Sequence, residues 1–137
     1  MEVRHAGRAP RPFLAVEDDP AIQRAISQAV AGRYAVRFAS SGTAGLQTLA
    51  EGELPLFVLL DFMLPDQDGL EVVRALRANA RTRRIPVVIF SSVRDARVQA
   101  ALDAGANSWV RKPDDPRAFS ECVQRVCEYW MHVHVSS

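Results

Sequence analysis

Leu56-Phe57-Val58-Leu59-Leu60-Asp61 is five apolar residues in a row ending on a carboxylate. Val87-Val88-Ile89-Phe90-Ser91 repeats the scheme with a hydroxyl at its end. Apolar runs this short, bare of polar alternation, read as strands covered on both faces. Outward from them the chain alternates strand with helix. Phe13 to Val16, Tyr34 to Ala39 and Ser108 to Val110 are the other strand candidates. Between the runs, apolar residues recur near the 3.6-residue period of a helix. The sets are Ile22, Ile26 and Val30; Leu46 and Leu49; Leu70, Val73 and Leu76; Val98 and Leu102; and Phe119, Val123, Val126 and Trp130. Asp19-Pro20 and Asp115-Pro116 each place an acidic cap before a proline at the first helical position, and Ser41 can cap another helix. Gly52 and Gly105 suit helix ends. Strand followed by helix, repeated along the chain, implies an α/β fold with a doubly wound parallel sheet and helices on both faces.

The composition agrees with one such domain in 137 residues. Hydrophobic residues make up 48% of the chain, which excludes a disordered class. Lys+Arg number 17 and Asp+Glu 16, so no field of one sign argues for nucleic acid or a membrane surface. No apolar run approaches the roughly 20 residues that span a bilayer, and the start of the chain has no apolar signal core. Residues 1–11, with Arg4, Arg8 and Arg11, read as a mobile basic arm, 12–131 as the folded domain and 132–137 as a tail. Cys122 and Cys127 sit about 140° apart around a helix, which disfavours a disulfide between them and makes a reducing, cytoplasmic setting the default.

In a doubly wound sheet, ligands bind beyond the carboxyl ends of the strands. Glu17-Asp18-Asp19 follows the first strand candidate, Asp61 ends the third, Ser91 and Ser92 follow the fourth, and Arg111-Lys112-Pro113 follows the fifth. Carboxylates gathered on one rim repel unless some take protons or a cation joins them. Mg²⁺ favours oxygen ligands and leaves room for a phosphoryl group. A carboxylate can attack phosphorus to give an acyl phosphate, with a lysine and a serine hydroxyl bonding the phosphoryl oxygens. Lys112 stands out because the other sixteen basic residues are arginine, so this position asks for a compact ammonium. The parts suit metal-assisted phosphoryl transfer to Asp61.

Four stretches carry a resemblance: Leu14 to Pro20, Asp61 to Gly69, Pro86 to Ser91, and Ala104-Gly105-Ala106 through Lys112-Pro113. Together, in this order, they resemble the receiver domains of two-component response regulators over about Arg11 to Met131. The resemblance implies a flavodoxin-like five-stranded parallel sheet of order 2-1-3-4-5. It implies that Asp61 accepts a phosphoryl group from a histidine kinase, with Mg²⁺ or Mn²⁺ held by Asp18, Asp61, the backbone carbonyl of Met63 and, mainly through water, Glu17. Ser91 becomes the hydroxyl that moves to the phosphoryl group, Lys112 its cationic partner, and Trp109 the aromatic switch residue. Pro113 is expected to follow a cis peptide bond, although only about 5–6% of X–Pro bonds in folded proteins are cis. Three departures from the usual pattern are Glu17 for Asp, Ser91 for Thr and Trp109 for Tyr or Phe. None removes a required group. Met63 and Val93 flank the site and are expected to influence phosphoryl lifetime.

Other features read more plainly. Asp19 reads as a helix cap, and Arg77, Arg81, Arg83 and Arg84 as a solvated surface at the far end of the sheet. His132 and His134 lack a ligand set, and no mid-chain histidine serves a Ser-His or Cys-His system. Tyr129-Trp130-Met131-His132-Val133-His134-Val135 leaves apolar groups beyond the last helix and is similar to single-domain regulators that partner phytochrome kinases. A homodimer through the fourth and fifth helices and the tail is therefore expected. The reading is a single-domain signalling protein without enzymatic turnover beyond its own phosphorylation and dephosphorylation. Its partners are a histidine kinase, of phytochrome type on the tail's resemblance, and a downstream protein or phosphotransfer partner, with neither nucleic acid nor membrane. The alternatives are a pseudo-receiver that binds partners without phosphorylation and an aspartyl-phosphate phosphatase. The latter fits poorly, because Glu17-Asp18-Asp19 runs into a capping proline.

Overall fold

Five short strands, β1 (Phe13–Val16), β2 (Val36–Ala39), β3 (Val58–Asp61), β4 (Val87–Ser91) and β5 (Ser108–Arg111), pair in the order β2-β1-β3-β4-β5. All four pairings are parallel. The helices are α1 (Pro20–Val30), α2 (Gly42–Ala50), α3 (Gly69–Ala78), α4 (Ala96–Asp103) and α5 (Pro116–Trp130). The computed structural model describes residues 11–62, 64 and 68–132. The order is the one the resemblance implied, with its switch point between β1 and β3.

Strand alternation sorts the core into two layers. Leu14, Val16, Val58, Leu60, Val87 and Ile89 face Leu49 of α2, Val72, Val73 and Leu76 of α3, and Val98 and Ala101 of α4. Phe13, Ala15, Phe57, Leu59, Val88 and Phe90 face Ile26 and Val30 of α1 and Phe119, Val123 and Cys127 of α5. The Phe13 and Phe57 rings stack at 4.9 Å. Each such side chain contributes about 1.5–3 kcal/mol when fully buried, so the apolar runs of β3 and β4 are the sheet's main anchor. Cys122 and Cys127 are both free.

The caps stand where Asp19, Ser41 and Asp115 predict them. Asp19 Oδ1 accepts from Ala21 N at 2.8 Å, Ser41 Oγ from Ala44 N at 3.0 Å, and Asp115 Oδ2 from Ala118 N at 2.9 Å. The second strand starts at Val36 rather than Tyr34, because the Tyr34 N–H bonds back to the Val30 carbonyl and closes the end of α1. The third strand starts at Val58 rather than Leu56, and β4 and β5 run one residue further, to Ser91 and Arg111.

The far end of the sheet corrects one expectation. Arg77 donates to the carbonyls of Gly105 (3.0 Å) and Ile85 (2.9 Å) and to Asn107 Oδ1 (3.0 Å). Arg81 donates to the carbonyls of Leu49 and Gly52. These two arginines tie the loops before β4 and β5 and after α2, instead of being merely solvated. Arg11, counted with the arm, donates to the Leu54 carbonyl at 2.8 Å. The rest of the arm and residues 133–137 lie outside the described residues.

Candidate functional site

Parallel register brings the strand ends to one rim. Val16 pairs with Leu60, Asp61 with Phe90, and Ser91 with Arg111. The residues just past these pairs, Glu17 after β1 and Lys112 after β5, therefore join Asp61 and Ser91. The Glu17 N–H donates to the Ala39 carbonyl at 2.9 Å, and the Lys112 N–H to the Ser91 carbonyl at 2.9 Å. These bonds continue the ladder into the loops and set both side chains over the sheet end.

Glu17, Asp18 and Asp61 each bring a carboxylate oxygen to within 4.8 Å of the others. Glu17 and Asp61 are buried, at 3% and 9% exposure, whereas Asp18 faces solvent. Lys112 Nζ bridges the two buried acids, 3.3 Å from Glu17 Oε1 and 3.4 Å from Asp61 Oδ1, and lies 5.4 Å from the centre of the Phe90 ring. Burial pushes the Glu17 carboxyl up to about 7; the Asp61 charge adds to this, and Lys112 opposes it. One ammonium thus leaves the acids undercompensated. Three hard oxygen donors, two buried and one open to water, fit a divalent ion that keeps part of its hydration shell. Asp19 stays outside this group as the α1 cap, as expected. Met63 lies outside the described residues.

Ser91 is buried at the end of β4, where its hydroxyl donates to the Val93 carbonyl at 2.8 Å and accepts from the Val93 N–H at 3.3 Å. Val93 is 62% exposed beside the rim. Trp109 packs on the core from β5 with the Arg94 guanidinium 5.7 Å from its ring centre. Its indole N–H and the Ser108 hydroxyl are buried without a hydrogen-bond partner among the described residues. The expected cis bond before Pro113 is corrected: there is no cis peptide among the described residues. Trans is the default for an X–Pro bond by about 0.5–1 kcal/mol, and Lys112 reaches both acids with it.

The sequence reading passes over several contributors, although an Asp before a helix is itself a cap signal. Asp68 caps α3 through Glu71 N, and Asp95 caps α4 through the N–H groups of Arg97 and Val98. Gln23 reaches from α1 to the Glu17 carbonyl. Gly69 begins α3 so close to Phe62 that an added Cβ would lie 2.3 Å from the ring.

The sequence pattern of the response regulator receiver domain matches residues 13–124. The chain belongs to the response regulator receiver family. The receiver is 35% identical over 116 residues to the transcriptional regulatory protein AfsQ1 of Streptomyces coelicolor, covering 83% of this chain and 50% of that protein. It thus spans half the length of that relative. It is 30% identical over 123 residues to the two-component response regulator ORR11 of Oryza sativa subsp. indica, covering 88% of this chain and 83% of that one. Among solved structures, the phosphorylated cyanobacterial phytochrome response regulator RcpA superposes with a TM-score of 0.85 at 26% identity, over 93% of this chain and 98% of RcpA. The Mn²⁺-bound response regulator Rcp1 gives 0.83 at 25% identity, over 93% of this chain and 100% of Rcp1. Receivers are signalling domains rather than enzymes in the usual sense. Among the described residues, no helix is long and apolar enough to cross a membrane.

Proposed function

We propose that this receiver takes a phosphoryl group from a histidine kinase on Asp61, with Mg²⁺ or Mn²⁺ bound, and signals through altered protein contacts. The observation that carries the reading is Lys112 bridging Glu17 and Asp61 above a three-carboxylate cluster. An Asp61 oxygen forms the P–O bond as the donor's P–N bond breaks, and the departing imidazole keeps the electron pair and takes up a proton. Lys112 then turns its ammonium from the carboxylates to a phosphoryl oxygen, and the Ser91 hydroxyl leaves Val93 to donate to another. Glu17, Asp18, Asp61 and the Met63 carbonyl would hold the ion, which supplies charge neutralisation between the acids and the incoming phosphoryl group. Trp109 follows Ser91 as the switch residue.

On this reading the receiver domain runs over 12–131, with an arm before it and a tail after it, and works in the cytoplasm. A phytochrome-type kinase is the proposed partner, supported by the likeness to RcpA and Rcp1. The proposed homodimer runs through α4, α5 and the tail; what supports it is a groove of about 470 Å³ along β5 and α5, where Val110, Cys122, Val126, Tyr129 and Trp130 sit beside the charged Glu121 and Arg125. A downstream protein or a phosphotransfer partner receives the signal.

Incubation with acetyl phosphate and Mg²⁺, read by intact mass, tests the reading. A gain of one phosphoryl group that Asp61→Asn abolishes is expected. No gain and no phosphate release would instead favour a pseudo-receiver that binds partners unmodified, and release without a stable adduct a phosphatase.

A further inference from the structure

We infer that Gln23 is a positioning residue for the acidic loop, setting the direction from which Asp18 meets a divalent ion. Gln23 lies in the first turns of α1, and its side-chain amide donates to the Glu17 carbonyl at 2.6 Å. That carbonyl belongs to the peptide joining Glu17 to Asp18, so the bond fixes the plane from which Asp18 departs. The opposite side of Glu17 is already held, since its N–H donates to the Ala39 carbonyl of β2. The Gln23 backbone N–H donates to the Asp19 carbonyl at 2.9 Å, so one residue spans the loop from Glu17 to Asp19. The same amide lies 3.4 Å from Ser40 Oγ, just before α2.

The loop needs such a brace. Glu17 and Asp18 are adjacent acids, and Asp61 adds a third carboxylate within 4.8 Å, so repulsion drives the loop outward whenever the acids are ionised. Asp19 N donating to Glu17 Oε2 at 3.2 Å orients the Glu17 side chain but leaves its carbonyl unheld. A neutral amide suits this position, because it donates a strong bond to the carbonyl without placing a cation beside a cation site. Groups that orient metal ligands from the next layer out typically change affinity by about 10–100-fold when removed.

This inference rests on reading the acid cluster as a divalent-ion site. The test is Gln23→Met in the full chain, a substitution that keeps the unbranched shape and removes the donor. Mn²⁺ affinity, measured from the electron paramagnetic resonance signal of the free ion, is expected to fall on the order of tenfold. The midpoint of the Mg²⁺ dependence of acetyl phosphate labelling should rise by a similar factor, with the rate at saturating Mg²⁺ restored to that of the parent. The melting temperature without divalent ions should fall by only a few degrees, the cost of one part-buried hydrogen bond. Unchanged Mn²⁺ affinity, or a lowered saturating rate at an unchanged midpoint, would overturn the role of Gln23. A parent protein that binds no Mn²⁺ would overturn the ion-site reading itself, and this inference with it.

Discussion

Lys112 is the sole lysine, and its ammonium sits between two buried carboxylates. A guanidinium keeps the charge but is planar and larger, so it cannot occupy the same point between Glu17 and Asp61. Lys112→Arg is expected to remain folded yet to lose coupling between labelling and tryptophan fluorescence, by roughly tenfold in amplitude. A normal response would reduce this lysine to one more surface charge. Glu17 makes a second prediction. Its folded-state value is raised to about 7 from 4.5, so between those values the folded protein binds more protons than the unfolded chain. The contribution is full below 4.5 and is lost as pH rises through about 7. Without divalent ions the melting temperature should therefore fall between about pH 5 and about pH 8, and Glu17→Gln should flatten that slope. Added Mg²⁺ should offset the loss, because a cation favours the ionised acids. A slope identical in Glu17→Gln and parent would contradict the burial argument.

At the scale of elements, the start of α3 is the most constrained junction. Gly69 N donates to the Phe62 carbonyl at 3.2 Å, and Phe62 is buried directly beneath the missing Cβ. Gly69→Ala must push that ring out of the core layer, at a cost of about 1–3 kcal/mol, seen as a melting temperature lower by several degrees. A melting temperature equal to the parent's would show that Phe62 yields freely. The elements also mark how far the sequence could be read. The runs Leu56 to Leu60 and Val87 to Phe90 declared strands because burial on both faces demands unbroken apolar residues. Asp19, Ser41 and Asp115 declared helix starts because the cap is local chemistry. Tyr34 misled, since a β-prone aromatic went to closing α1 through its N–H. Arg77 and Arg81 were illegible because their acceptors, mostly backbone carbonyls, lie 8 to 32 residues away in sequence. Gln23 was hidden for the same reason, its target being a backbone atom.

At the scale of the whole molecule, the rim was legible as a set because a doubly wound sheet delivers strand ends to one edge. Asp61, Ser91 and Lys112 group from topology alone, whereas the Lys112 bridge and the Ser91–Val93 bonds follow from side-chain geometry that topology does not set. The surface along β5 and α5 makes a separate prediction. The α5 groove leaves Tyr129 60% exposed beside Cys122 and Trp130, an apolar strip flanked by Glu121 and Arg125 and suited to a second copy. Light scattering should detect a dimer, at least with beryllium fluoride and Mg²⁺ as a phosphate mimic. A monomer under both conditions would remove the dimer and leave the chemistry intact. The chemistry itself turns on one bond. Phosphorus NMR of the protein labelled by acetyl phosphate and Mg²⁺ should show a single acyl-phosphate resonance that Asp61→Asn eliminates. A resonance that survives in Asp61→Asn, or a parent that gives none, would contradict the assignment of Asp61 as the phosphoryl acceptor.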